Sequence, residues 1–234
     1  MALAIAAGLA GCGGRAYLYE PVDSGTFLSR AERESDGPIN IATAVPGREE
    51  TERIFGIDLY DQGIQPVWLQ VENTGDTLAR YAPVSTDAEY FSPLEVSYMN
   101  RRGYSKETRG TMDERFHNLA MPRYIDPGET RSGFVFTHAD WGAKGFNVDV
   151  FSGGESYNFT FLLRVPGFEP DYARIDLDSL YADGEVPDYD GEALREAIRN
   201  LPCCSADKGG EKDGQPVNLV LVGEAEELLR ALLR

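Results

Sequence analysis

Three cysteines, two histidines and 39 carboxylates are the groups in this chain that could bind a metal or carry redox chemistry. Cys203 and Cys204 are adjacent and follow Pro202. A disulfide between neighbours is strained, and where one forms it is often functional. With no histidine or CxxC spacing beside the pair, two small, partly buried side chains at a turn, reduced or paired elsewhere, are expected instead. His117 and His138 fall on different expected elements, and neither has a second ligand at a zinc-site spacing. No CxxC pair and no GxSxG elbow occurs. The sequence therefore points to no catalytic residue, no metal site and no cofactor.

Three further patterns carry weaker chemical signals. Asp23-Ser24-Gly25-Thr26 resembles the catalytic loop of aspartic proteases. Those enzymes need two such carboxylates sharing a proton, and a second copy is absent, so an ordinary turn is expected. Asp176 and Asp178 have the first spacing of a calcium loop, but Leu180 and Tyr181 occupy the next ligand and the required glycine. A solvated acidic linker is expected there. Trp68, Tyr98, Trp141 and Phe151 are candidates for an aromatic ligand-binding face.

The third cysteine has a different setting. Leu9-Ala10-Gly11-Cys12 ends an uncharged apolar run that begins at Ala2. These residues resemble the lipobox of bacterial lipoproteins, which implies cleavage before Cys12 and diacylglyceryl transfer to its sulfur. The run from Ala2 to Ala10 is far shorter than the roughly 20 residues a spanning helix needs. Acyl chains on one residue anchor firmly, because each buried methylene contributes about 0.8 kcal/mol. Gly13 rather than an aspartate follows the cysteine, which by resemblance to lipoprotein sorting favours the outer membrane.

Charge narrows the partners. The net charge is -17 over 234 residues. A nucleic-acid partner is not expected, since phosphate binding needs a basic face. The same acidity should repel an anionic bilayer, which leaves membrane attachment to the lipid on Cys12.

The elements that must carry these residues read as mainly β. Residues 1–11 are the signal segment and 12–38 a tether ending in the loop signal Gly37-Pro38. From Ile39 to Val165 short period-two runs alternate with turns. Ile39 to Val45, Ile54 to Leu59, Ile64 to Asn73, Leu78 to Val84, Leu94 to Met99, Thr130 to Thr137, Phe146 to Val150 and Tyr157 to Val165 are the expected strands. Ser105 to Met121 shows helical spacing instead and is the one inserted helix. The pattern predicts an immunoglobulin-like β-sandwich over 39–167. An acidic linker over 168–190 then leads to a small α/β segment, helix–strand–helix, over 191–234.

The last third also carries a family resemblance. Leu201-Pro202-Cys203-Cys204, a polar glycine-containing loop, the strand-like Pro216 to Gly223 and the Leu-rich Leu228 to Leu233 resemble the entry to the LssY C-terminal domain of bacterial envelope proteins. That resemblance implies an envelope-associated protein linked to secretion, without fixing an activity. The body of that domain does not follow Arg234, which predicts that the chain is a fragment. Together these readings predict a lipid-anchored, non-enzymatic envelope protein that binds a protein partner. A surface module for a carbohydrate or other small ligand is the alternative.

Overall fold

The computed structural model describes residues 15–22, 26–167, 189–210 and 212–216. Cys12 and the lipobox, Asp23 to Gly25, the acidic linker over 168–188 and the expected elements over 217–233 lie outside the described residues. The chain divides into two compact units, Met1–Glu169 and Pro170–Arg234.

The first unit is mainly β, with two antiparallel four-stranded sheets. One sheet has the order β1 (Glu32–Asp36), β2 (Ile39–Ala44), β3 (Ile64–Asn73), β6 (Thr130–His138). The other has the order β5 (Tyr124–Ile125), β4 (Ala79–Ala82), β7 (Ala143–Ser152), β8 (Glu155–Arg164). Period-two alternation explains how they pack. Val67, Leu69 and Val71 of β3 join Ile39, Ile41 and Val135 and meet Val148, Val150, Phe159, Phe161 and Leu163 of the second sheet in one core.

The other face of the first sheet is also buried. Ala42, Ala44, Trp68, Phe134 and Phe136 pack against Phe27, Ile54, Phe55, Val96, Met112 and Phe116. Three helices supply most of that cover: α1 (Arg48–Phe55), α2 (Pro93–Asn100) and α3 (Lys106–Leu119). The molecule's first unit is thus helix on sheet on sheet, and β3 is buried along most of its length.

This second core corrects several expectations. A single inserted helix was expected at 105–121, and α3 is there, but α1 and α2 replace two expected strands. Residues 54–59 contribute the end of α1, whose first turn carries Glu49 and Glu50 and whose C-cap is Gly56 at φ 69°. Residues 94–99 form α2 because Ser92 and Glu95 make a reciprocal capping box and Pro93 opens the helix. Val96 and Ser97 are the residues α2 buries, while Leu94 and Tyr98 are exposed.

The expected tether over 12–38 is corrected as well. Thr26–Arg30 forms a 3-10 helix that places Phe27 fully in the core, and Glu32–Asp36 is β1, paired with β2. The charges along β1 obscure its strand character but suit an edge strand, where they discourage pairing with another chain. Residues 15–22 lie across α1 and α3. The Glu20 N–H donates to the Arg53 carbonyl at 2.8 Å. Arg115 of α3 donates to the Glu20 carbonyl at 2.6 Å and lies 4.3 Å from the Tyr19 ring centre. Gly56 permits this crossing, since a β-carbon there would collide with the Leu18 carbonyl and the Tyr17 ring.

In the second unit, α4 (Gly191–Arg199) is capped by Asp190, as the helical spacing predicts. The polar stretch after it is not only loop. It contains a hairpin of β9 (Cys204–Ala206) and β10 (Asp213–Pro216). No described helix is long and apolar enough to cross a membrane.

Candidate binding cleft and cysteine pair

A concavity of the first unit opens at the outer edge of β6. Two segments approach that edge. The Phe91 N–H donates to the Phe136 carbonyl at 2.8 Å, and the Met121 N–H donates to the Phe134 carbonyl at 3.0 Å. The second approach depends on Gly133. A β-carbon there would come within 2.6 Å of the Ala120 and Met121 backbone. Between the two segments lies a cleft of about 440 Å³. Tyr81, Phe91, Met121 and Phe136 form apolar walls, and His117, Asn118 and Arg123 add polar groups. At the rim the Arg123 guanidinium donates to the Tyr90 hydroxyl at 2.7 Å. A concave apolar site with a few convergent polar groups is the usual form of a ligand or peptide pocket.

One wall is held by a hydrogen-bonded pair at the end of β6. Asp87 Oδ2 accepts from the His138 backbone N–H at 2.8 Å and lies 2.9 Å from its Nδ1. Burial pushes the Asp87 carboxyl up. The backbone and ring hydrogen bonds from His138, the Glu89 N–H and the His138 charge outweigh it and hold the group below the ordinary aspartate value. The Phe91 ring lies 4.7 Å from the His138 ring, so the pair and the wall are in contact.

The sequence-derived candidates are spread more widely. His117 lines the cleft and His138 pairs with Asp87. Of the four aromatics considered for a ligand face, Trp68 is buried beneath the helices beside Phe27. Tyr98 is on α2, Trp141 lies in the bend before β7, and Phe151 is near the far end of that strand, roughly 26 Å from its first residue Ala143 at about 3.3 Å per residue. They do not form one face. Asp87, Tyr90 and Arg123 were missed because they sit in irregular connections with no periodic signal.

In the second unit Cys203 and Cys204 are joined as a vicinal disulfide at the start of β9. The Asp213 carboxylate faces them across the hairpin, and ligand atoms of the three residues lie within 4.8 Å of one another. Among the described residues this is the one such group of three. In the disulfide the sulfurs carry no thiolate charge, so cation binding would belong to the reduced pair. No family model matches the chain, and no curated protein or solved structure shows significant similarity to it.

Proposed function

We propose that this protein is a lipid-anchored envelope protein, held through Cys12, that acts by binding a protein partner rather than by catalysis. The immunoglobulin-like reading of its sandwich belongs to the same proposal and draws support from the paired four-stranded antiparallel sheets. The observation that carries the binding role is the cleft at the β6 edge. It has aromatic walls, a volume within the usual range for bound ligands, and Arg123 at its rim. An apolar side chain of a partner would fill the cleft, and Arg123 would take a neighbouring carboxylate or carbonyl.

The test is capture of partners from detergent-solubilised envelopes by the tagged protein, alongside a Tyr90→Ala/Arg123→Ala variant. Both substitutions remove rim contacts; the Tyr90 ring also packs against the inter-sheet core, so the capture comparison is made with a variant whose thermal unfolding shows it to be folded at the assay temperature. A protein captured by the parent chain and lost with the variant supports the proposal. No reproducible partner, or equal capture by both, contradicts it. The cleft volume also favours a second reading, a small apolar ligand, which native mass spectrometry of the isolated protein would detect as a bound mass.

A further inference from the structure

We propose that the tip of the α2–α3 hairpin is a membrane-facing surface that docks on anionic lipid headgroups and sets how the first unit sits on the bilayer. This rests on the reading of Cys12 as the lipid-bearing residue. Two independent features of the structure converge on that tip.

The first is the length of the tether. The segment 15–22 is fixed to the helices, and its first residue already touches the hairpin. The Arg15 N–H donates to the Gly103 carbonyl at 3.4 Å, and its guanidinium lies 5.5 Å from the Tyr104 ring centre. Only Gly13 and Gly14 separate Arg15 from Cys12. Consecutive Cα atoms are about 3.8 Å apart, so an acylated Cys12 lies within about 11 Å of Arg15. A lipid in the bilayer therefore holds the 101–105 turn close to the headgroups.

The second is local charge. The chain as a whole is strongly acidic, at -17. Around this turn the sign reverses. Arg101, Arg102, Lys106 and Arg109 stand within nine residues with one acid, Glu107, and Arg15 joins them in space. Glu107 is engaged locally by the Ser105 hydroxyl at 3.0 Å. Arg109 is drawn to the same turn through its Nε donation to the Tyr104 carbonyl at 3.0 Å. Arg101 lies 3.8 Å from the centre of the Tyr98 ring, which is 63% exposed. Basic groups with an exposed amphipathic ring suit the headgroup region of an anionic bilayer. The acidic remainder of the molecule would be repelled from that surface, so charge orients the unit as well as attracting the tip.

The experiment uses the acylated full-length mature chain in vesicles of phosphatidylcholine mixed with phosphatidylglycerol, and in phosphatidylcholine alone. A Tyr98→Trp variant reports on the hairpin once the signal of the parent chain, which carries Trp68 and the exposed Trp141, is subtracted, as it is for the second variant. A Phe151→Trp variant reports on the outer face of the second sheet, across both sheets from the helices. Quenching by brominated lipids is expected to be severalfold stronger at 98 than at 151 in the anionic vesicles. Each basic group beside such a surface contributes roughly a fivefold factor. Adding Arg101→Gln/Arg102→Gln should therefore lower the preference for anionic over neutral vesicles by roughly 25-fold, and high salt should lower it as well. Equal quenching at the two positions, or stronger quenching at 151, overturns the proposal. If mass spectrometry finds no acyl group on Cys12, the lipoprotein reading fails separately. Coupling Cys12 to a maleimide lipid then lets the same quenching comparison decide which face meets the bilayer.

Discussion

One oxygen of Asp87 accepts both the backbone N–H of His138, at 2.8 Å, and contact from that residue's Nδ1, at 2.9 Å. The connection after β4 is thereby pinned to the last residue of β6, and the same connection supplies Tyr90 and Phe91 to the cleft. On the proposed binding role, occupation of the cleft and stability of its wall would be coupled through this pair.

Asp87→Asn keeps the shape but removes the charge, and should lower stability by about 1–2 kcal/mol at neutral pH. The dependence on pH has a defined sign. The folded state binds this proton less tightly than the unfolded chain does. The contribution is therefore complete above the unfolded aspartate value of about 3.9 and disappears as pH falls through the lower folded value. Urea unfolding of parent and variant across acidic pH should show the difference closing. A constant difference would contradict the assignment.

Gly133→Ala places a β-carbon within 2.6 Å of backbone atoms of Ala120 and Met121. Backbone cannot rotate aside as a side chain can, so the segment 119–122 must move off the β6 edge. A loss of about 1–3 kcal/mol is expected, with weaker partner capture as the cleft opens. Thermal unfolding checks the first and the capture assay the second.

Tyr60 is buried in the inter-sheet core, where its hydroxyl donates to the Pro46 carbonyl at 2.8 Å and accepts from Gln65. Burial pushes its phenol up to about 12, against the opposing hydrogen bond from Gln65 and with the help of Glu50. Tyr81 is raised further by burial. The neutral phenols contribute stability that is complete below about pH 10 and is lost as pH rises through the folded values. In an alkaline absorbance titration these phenols should ionise only as the fold is lost, and a Tyr60→Phe variant should show one fewer late-titrating group. Normal titration of all 12 tyrosines would argue against this packing.

The Cys203–Cys204 bond closes no chain loop of consequence, so it restricts the unfolded chain very little. Cys203→Ser/Cys204→Ser should leave the melting temperature of the first unit unchanged. Thiol counting on the acylated protein should find no reactive thiol before reduction and two after it. Thiols that react without a reductant would show the pair to be open.

The period-two pattern predicted the inter-sheet core well, because Val67, Leu69 and Val71 alternate in sequence as they do in space. It did not reveal the helical layer. In α2 the apolar residues Leu94, Val96 and Tyr98 also alternate, yet Ser92 and Glu95 cap a helix and only Val96 of the three is buried. The burial of Trp68 on the opposite face of β3 follows from that layer, and no local pattern announces it. Phe27 is a similar case, an isolated aromatic in a polar stretch whose partners, Trp68 and Phe134, are distant in the chain. The cleft was hidden for the same reason, since Asp87 and His138 are 51 residues apart. The basic hairpin tip is present in the sequence as Arg101-Arg102, but the total charge of -17 masks it, and Arg15 joins it only in the fold.

The proposed anchoring and the orientation built on it meet at Cys12. The direct measurement is the mass of the N-terminal peptide of the protein extracted from membranes, compared with a Cys12→Ser variant. The lipid-anchored reading predicts a mature chain beginning at Cys12 with acyl and diacylglyceryl groups attached, and a variant that is unmodified and leaves the membrane fraction. An unmodified Cys12 in the parent protein, or a retained segment 1–11, would contradict it.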